Sequence, residues 1–275
     1  MIPVRSPQFV MDQTETVKFV SRTLMTNFYF NKDMLDYWTR MALLFHEKIG
    51  ETAFFFKKDL DFFHLYYVSP SYDELGRGLE ALSSRPAIFA TDVITKIGEG
   101  VAVLDIFHDH GFYRYRTLVR MCMTKSPHSQ KTADSAEIRF ARKDDIDKLH
   151  DILTGNFDRY AEQIPSTDEI AMDVENNKII VKEKNGVIAG LIHYDLIGLT
   201  SHLRRWFVNP DYRDQHVGSK LLRSYFSLSH KATRFILWVL QANENAIKRY
   251  LHYGYREDNL IDTIFINQEQ VNRGK

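Results

Sequence analysis

The sequence of 275 residues contains a single cysteine, Cys122. One cysteine excludes an intrachain disulfide and any zinc site built from several cysteines, and it fits a reducing compartment. Cys122 lies within the apolar run of residues 118–123. We therefore interpret it as a buried structural thiol and not as a nucleophile.

The sequence also lacks a long apolar run and a net charge. No stretch approaches the roughly 18 to 20 apolar residues of a membrane span, and the N-terminus lacks a signal-peptide pattern. The 36 basic and 36 acidic side chains give a formal net charge of zero, which argues against a broad nucleic-acid surface. We expect a cytoplasmic protein that binds neither membrane nor nucleic acid.

What the sequence does contain is apolar and aromatic side chains in quantity. Hydrophobic residues make up 44% of the chain and aromatic residues 13%, so a substantial packed core is expected. The length favours two domains. A polar stretch rich in Ser and Lys, residues 124–136, is the one convincing linker. The predicted domains are 1–125 and 137–275, with a linker at 126–136.

The apolar periodicity predicts a mixed order of helices and strands in both halves. In the first half, helices are predicted at 14–25 and 32–49, and aromatic runs at 52–56 and 62–68 predict a hairpin. The second half is predicted as strand, two helices, three antiparallel strands, helix, strand, helix, strand. Asn185-Gly186 is its strongest hairpin signal.

The most informative stretch is residues 206–222. Trp206, Phe207 and Val208 favour a strand, Pro210 ends it, and helical spacing resumes around Leu221. The amides at the start of a helix form an anion site, because they are unpaired and carry the positive end of the helix dipole. Arg213 adds charge and Gly218 permits close approach, which indicates a pyrophosphate cradle; an ordinary strand, turn and helix is the alternative.

Two motifs in this half resemble those of the GNAT superfamily of acyl-CoA-dependent N-acyltransferases, over about residues 137–270. In the first motif Val208, Pro210, Arg213 and Gly218 match, while His216 stands where the first glycine is usual. The second motif follows on the next strand and helix. Its matching residues are Asn243, Ala246, Tyr250, Gly254 and Tyr255.

The resemblance implies an α/β fold with a mixed sheet flanked by helices, and acetyl-CoA as acyl donor without a metal. The pyrophosphate would bind the amides of 214–219, and the pantetheine would lie where strand 206–208 splays from strand 235–240. Tyr250 would protonate the leaving thiolate; the alternative for it is a core aromatic. The residues that the resemblance places at the cofactor are Phe207, Val208, Arg213, Asp214, Gln215, His216, Val217, Gly218, Ser219, Asn243, Ala246 and Tyr250.

The amine acceptor would attack directly and must lose a proton, so a base or a water relay is expected. The candidates for the base are His193, His202, Glu162 and Asp168. We name His202 together with Tyr250 as catalytic. A relay of ordered water remains the alternative to any single base.

An internal similarity suggests that the first half is a diverged GNAT-like unit. With an offset of 140 residues, Pro70 corresponds to Pro210 and Gly78 to Gly218. Asp73 then replaces Arg213. Further on, Gly111-Phe112 aligns with Gly254-Tyr255, so Phe107 replaces Tyr250, four residues before the glycine in both. Because a carboxylate repels an anion and Phe has no proton to give, we expect no cofactor in the first half.

The leading functional hypothesis is an N-acetyltransferase that acts on a primary amine of a small molecule, amino acid or peptide. A non-catalytic protein that senses acyl-CoA or binds a partner on a GNAT scaffold is the alternative, and a longer acyl donor is a weaker third option. A homodimer is left open as an assembly.

Overall fold

The structure, a computed structural model, describes residues 1–20, 24–29, 32–124 and 138–269. The predicted linker at 126–136 lies outside the described residues. The helices and strands of the first half are β1 (Ile2–Pro3), α1 (Pro7–Val20), β2 (Met25–Thr26), α2 (Lys32–Arg40), β3 (Leu44–Ile49), β4 (Thr52–Lys58), β5 (Phe62–Ser69), α3 (Tyr72–Ser83), β6 (Ile88–Lys96), α4 (Val101–Asp109) and β7 (Tyr113–Met123).

The second half follows the predicted order of elements. Short 3₁₀ turns precede two of its helices, at Lys143–Asp145 and Pro210–Tyr212. Its other elements are β8 (Ile138–Phe140), α5 (Ile146–Asn156), α6 (Thr167–Glu175), β9 (Ile179–Lys184), β10 (Val187–Ile197), β11 (Thr200–Val208), α7 (Val217–Leu228), β12 (Arg234–Leu240), α8 (Glu244–His252) and β13 (Arg256–Ile266).

The chain folds into two compact units. The first unit is Met1–Thr117 together with the chain from Leu260 onward, and the second unit is Leu118–Asn259. Each unit therefore contains a strand segment from the other half of the sequence. The domain boundaries predicted at 125 and 137 remain a prediction, and the compact units group the chain differently.

The first unit is built on a mixed sheet with the strand order β1-β3-β4-β5-β6-β13, and β2 pairs with β5. β4 and β5 form the antiparallel hairpin that the aromatic runs predict. β5 and β6 are parallel neighbours, and residues 260–266 of β13 pair antiparallel with β6. An aromatic core that includes Phe54, Phe89 and Phe107 lies against α3 and α4.

The strands of the second unit pair in the order β7-β12-β11-β10-β9-β8, with both parallel and antiparallel neighbours. Asn185 and Gly186 connect β9 and β10 with φ of 52° and 76°, the two positive angles that a type I′ turn requires. The hairpin prediction is therefore confirmed. Leu153 of α5, Ile170 of α6 and Leu191 of β10 share a core on one face, and Tyr225 and Phe226 of α7 are buried as well. The predicted α/β fold class, with mixed sheets flanked by helices, is confirmed.

One predicted helix is wrong in its second half. The helix expected over 32–49 ends at Arg40, and Ala42 follows with a φ of 53°, outside the helical range. Leu44–Ile49 instead forms β3, which pairs along the whole of its length with the aromatic strand β4. The tertiary partner therefore overrides the helical spacing. In the described residues, no helix is long and apolar enough to cross a membrane.

The packing of Gly78 gives a test of the first unit. A Cβ on Gly78 would overlap the ring of Phe54, which is fully buried, whereas a Cβ on Gly155 in α5 would meet no atom within 4 Å. We expect Gly78→Ala to lower the free energy of unfolding by about 1 to 3 kcal/mol. Gly155→Ala, as the matched control, should leave it unchanged or raise it by up to about 1 kcal/mol. Denaturant titration measures both, and an equal effect of the two variants would contradict the packing.

Candidate functional site

The site begins where two parallel strands separate. β11 and β12 pair in parallel at Thr200–Leu203 and Arg234–Leu237, and the ladder then ends. Both strands continue, β11 to Val208 and β12 to Leu240. We call the gap between residues 204–208 and 238–240 the splay. The splay that the resemblance implies is present, and it opens after Leu203 and Leu237.

One hydrogen bond shows which residues of β11 point their backbone groups into the splay. The N–H of Asn209 donates to the carbonyl of Ala189 in β10 at 3.0 Å. Because successive residues of an antiparallel strand face alternate neighbours, Phe207 also faces β10, while Val208 and Trp206 face the splay. Phe207 was predicted at the cofactor, but its backbone points to β10 and its side chain packs on the core of α5 and α6.

Trp206, which is predicted to lie on the pantetheine strand but not among the cofactor residues, contacts both helices beside the splay. Its ring centroid lies 5.7 Å from that of Tyr250 and 5.9 Å from that of Tyr253. A Cβ on Gly218 would lie 3.0 Å from its Cζ2 atom. The indole Nε1 is buried and has no hydrogen-bond partner among the described residues. Trp206 therefore connects α7 and α8 and retains an unused donor.

The N-terminus of α7 presents a run of free amides. Asp214 and His216 have φ of 60° and 59°, in the left-handed region, and His216 occupies the N-cap without a side-chain hydrogen bond. Within the described residues, the N–H groups of 215–219 have no acceptor. Consecutive unpaired amides at a helix N-terminus form an anion-binding nest. His216 thus adopts the left-handed backbone conformation that a glycine usually takes in such a loop. For a residue with a side chain this conformation costs free energy.

Positive side chains surround this loop. Arg213 is exposed and pairs with no described residue. Lys184 donates to the side-chain oxygen of Gln215 at 2.9 Å, and Arg223 donates to the carbonyl of Ser219 at 3.2 Å. The structure thus brings together Arg213 to Ser219 as predicted. Val217 differs from the others because its side chain is buried in the core.

In the second motif, the first two residues form the start of α8, and Tyr250 carries the chemically reactive group. Asn243 caps α8, where its side-chain oxygen accepts from the N–H of Ala246 at 3.2 Å. These two predicted cofactor residues therefore hold the helix start in place. Tyr250, one turn further on, is buried against Trp206 and Tyr255. Its hydroxyl makes no hydrogen bond to any described residue.

The electrostatic surroundings of Tyr250 keep it protonated. Burial raises the pKa of its phenol, and the Glu162 carboxylate raises that pKa further. A protonated phenol is the state that a proton donor needs. Tyr250 is therefore able to donate at neutral pH.

His202 lies on β11 opposite Asp195, and Arg204 places its Nη1 3.5 Å from the His202 Nδ1. Burial and the charge of Arg204 lower the pKa of His202 to about 3, and Asp195 only partly opposes this shift. The imidazole is neutral at pH 7 but is a weak base. In the described part of the chain, no contact joins His202 to Tyr250 or Trp206.

His193 belongs to a buried ionic network. Its Nε2 lies 2.9 Å from Asp173, and its Nδ1 lies 3.2 Å from the guanidinium of Arg205. Because arginine only donates, Nδ1 accepts and Nε2 carries the proton. Burial lowers the pKa of His193 despite Asp173. Since both nitrogens are engaged, His193 is a structural residue of this network and not a free base.

Arg205 connects this network to the loop between α5 and α6. It donates to the carbonyls of Glu162 and Gln163 at 2.7 and 2.6 Å. Burial lowers the pKa of Arg205 to about 10, so the guanidinium stays charged at neutral pH. Glu162, held in this way, accepts the N–H of Asp158 at 2.7 Å. Asp168 lies apart from it, exposed in the first turn of α6.

The equivalent helix terminus of the first unit is closed by its own side chains. Ser71 caps α3 and accepts from the N–H of Glu74 at 3.2 Å. The Glu74 carboxylate accepts from the N–H of Glu51 at 2.9 Å and pairs with Arg77. Phe107, which replaces Tyr250, is fully buried in the aromatic core. No cluster of possible metal ligands occurs in the described residues of either unit.

The low pKa of His202 predicts an acid-sensitive fold. A histidine with a pKa of about 6.5 when unfolded and about 3 when folded is protonated more readily in the unfolded chain, so stability is lost as pH falls below 6.5. At pH 5 this loss is about 2 kcal/mol. We expect His202→Gln to lose correspondingly less stability between pH 7 and pH 5 than the wild type, as measured by unfolding at each pH. An identical pH profile for the variant would contradict this assignment.

Comparisons with known proteins agree with this geometry. Residues 146–255 match the family model described as the acetyltransferase (GNAT) family. Among curated proteins, none matches the sequence. A tandem GNAT protein from the clavulanic acid biosynthesis pathway, solved without acetyl-CoA, is similar in structure with a TM-score of 0.63 and 11% identity. The similarity covers 96% of this chain and 97% of that protein.

Two further structures are similar over the same shares, 96% of this chain and 97% of theirs. A Drosophila protein has a TM-score of 0.57 at 15% identity, and a GNAT-family acetyltransferase from Colwellia psychrerythraea has 0.55 at 11%. At these identities the likeness concerns the fold. Residues 146–255 thus match the model of the GNAT acetyltransferase family, and the chain as a whole has a fold similar to that of a tandem GNAT protein.

Proposed function

We propose that the chain is an acetyl-CoA-dependent N-acetyltransferase that uses the second unit to acetylate a primary amine of a small molecule, amino acid or peptide. The observation that carries this proposal is the combination of free amides at 215–219 with a strand splay directly beside them. An anion site alone is common at helix starts. An anion site that opens onto an unpaired strand segment suits a long ligand with a phosphate end and an amide-containing arm.

The residues present fit acetyl-CoA at both ends. The pyrophosphate would bind the amides of 215–219, with Arg213 as an additional cation. The pantetheine arm would lie along Val208 and Trp206, whose backbone groups face the splay. The buried Nε1 of Trp206, without a partner among the described residues, is a donor suited to this ligand. Acetyl-CoA supplies an activated acetyl group when it is bound.

The backbone N–H of Trp206 is suited to polarise the thioester carbonyl, because it faces the splay from a fixed strand. The acceptor nitrogen attacks the carbonyl carbon, and the carbon–sulfur bond breaks. Tyr250 gives its proton to the leaving sulfur. The Tyr250 ring contacts the Trp206 ring in a tilted arrangement, so the donor of the carbonyl contact and the donor of the proton belong to neighbouring residues.

The acceptor amine loses a proton in the same reaction. Glu162 lies within electrostatic reach of Tyr250, because its charge raises the Tyr250 pKa. Arg205 holds the loop that carries it. We assign the acceptance of this proton to Glu162, directly or through water, in preference to His202, whose pKa of about 3 makes it a weak base.

The location of the cofactor can be tested with two arginines. Arg213→Gln removes a cation beside the free amides, and we expect about a fivefold weaker acetyl-CoA affinity, since an exposed charge pair contributes up to about 1 kcal/mol. Arg77→Gln, on the corresponding helix α3 of the first unit, is the matched control and should leave the affinity unchanged. Isothermal titration calorimetry measures both. No heat of binding in the wild type would refute the proposed function.

Tyr250→Phe tests the mechanism. We expect the release of coenzyme A thiol to slow by about a hundredfold or more, because general acid catalysis contributes at least that factor, with little change in acetyl-CoA affinity. Tyr113→Phe, a surface substitution of the same type, should keep the wild-type rate. The assay is thiol release across a panel of amines. An unchanged rate would remove Tyr250 from the mechanism, and binding without thiol release for any amine would favour an acyl-CoA sensor.

A further inference from the structure

The first unit contains a second splay. β5 and β6 pair in parallel only at Phe62–His64 and Ile88–Ala90. Both strands continue beyond these residues, β5 to Ser69 and β6 to Lys96. This is the same arrangement as that of β11 and β12, in which a parallel ladder ends before its strands do. A GNAT-like cofactor cleft therefore exists in the first unit as a backbone feature.

In the first unit this splay is filled by the chain itself. Residues 24–29, which we call the inserted segment, run along β5 on the side of the splay. Met25 pairs with Ser69 and Thr26 pairs with Val68 in antiparallel register. The inserted segment thus pairs with the edge of β5 that no longer pairs with β6 after the parallel ladder ends.

The side chain of Asn27 joins both strands across the splay. On β5, its Nδ2 donates to the carbonyl of Leu65 at 3.2 Å, and its Oδ1 accepts from the N–H of Tyr67 at 2.8 Å. On β6, the same Nδ2 lies 2.9 Å from the Thr91 hydroxyl and 3.0 Å from the carbonyl of Asp92. One carboxamide therefore satisfies donors and acceptors on both walls of the cleft.

The neighbours of Asn27 complete the closure. The Thr26 hydroxyl donates to the carbonyl of Tyr67 at 2.7 Å and accepts from the N–H of Phe28 at 3.0 Å. Phe28 is 6% exposed and stacks on Tyr66 with ring centroids 4.8 Å apart. Both backbone groups of Tyr67 are therefore used by the inserted segment, and an aromatic side chain anchors it.

We propose that the inserted segment is a built-in ligand of the first unit, in which the Asn27 carboxamide occupies the place of a pantetheine-type amide and keeps acyl-CoA out. A pantetheine arm offers amide N–H and C=O groups, which are the groups that Asn27 presents to Leu65 and Tyr67. The segment is tethered, so its effective concentration is about millimolar or higher, and a free ligand would have to displace it. Ser71 caps α3 through the N–H of Glu74, and Asp73 and Glu74 place two carboxylates in the first turn of α3, where their charge disfavours phosphates. The chain then has one acyl-CoA site, in the second unit, which rests on the function proposed for that unit.

Hydrogen exchange on the full chain tests the inserted segment without any cofactor. We expect Asn27→Ala to speed exchange of the Tyr67 amide by at least about tenfold, because its acceptor is lost. Asn156→Ala is the matched control and should leave exchange of the Tyr67 amide unchanged. Asn156 makes only an exposed hydrogen bond to Ile152 at the end of α5. Thr26→Val, which keeps the side-chain shape, should speed exchange of the Phe28 amide. Unchanged exchange of Tyr67 in the first variant and of Phe28 in the second would overturn the proposal.

The number of acetyl-CoA molecules bound per chain tests whether the inserted segment keeps acyl-CoA out of the first unit. Calorimetry with acetyl-CoA should give one molecule per wild-type chain and none for Gly218→Val, whose added side chain would collide with Trp206 and Val208 in the second unit. Two molecules per wild-type chain, or one molecule retained by Gly218→Val, would overturn the proposal. No binding to the wild type would instead refute the proposed function, and the exchange experiment would still decide the role of the inserted segment.

Discussion

The structure depends on the point at which a pair of parallel strands stops pairing. Beyond Leu203 and Leu237 the backbone groups of β11 that face β12 lose their ladder partners while both strands continue. A buried backbone N–H or C=O without a partner is costly, so such a gap needs either a ligand or another part of the protein. The positions of α7, α8 and Trp206 all follow from this gap. Trp206 is at once the strand residue that faces it and the ring that contacts both helices.

The two units meet this requirement in different ways. The second unit leaves the strand edge and the helix start available, with an indole donor and a phenol beside them. The first unit uses its own side chains at both places. Asn27 bridges the strands, Ser71 caps the helix start through the N–H of Glu74, and the Glu74 carboxylate accepts the N–H of Glu51. These side chains present polar oxygen and amide groups of the kind that a bound ligand would offer.

A buried ionic network holds the loop between α5 and α6 in the second unit. Burial by itself would raise the pKa of Asp173, but the hydrogen bond from His193 and the charge of Lys178 bring that pKa to about 2. The carboxylate in turn fixes the tautomer of His193, which leaves Nδ1 free to accept from Arg205. Arg205 then holds two carbonyls of the loop that carries Glu162. A charged group deep in the sheet is tolerated because each of these partners is in place, and its effect is to fix a loop beside Tyr250.

The sequence by itself determined the order of elements in the second half, the Asn185-Gly186 hairpin, the start of α7 after the Pro210 turn and the position of Tyr250 on α8. These features are local, since turn residues, helix starts and motif spacings act within a few residues of the chain. Only the tertiary structure decided that residues 44–49 form a strand, that Trp206 and not Phe207 faces the splay, and that His193 is engaged at both nitrogens. It also decided the role of Asn27, which acts on Tyr67 over a separation of 40 residues. Strand register and long-range hydrogen bonds set these outcomes, and neither has a periodicity that a sequence displays.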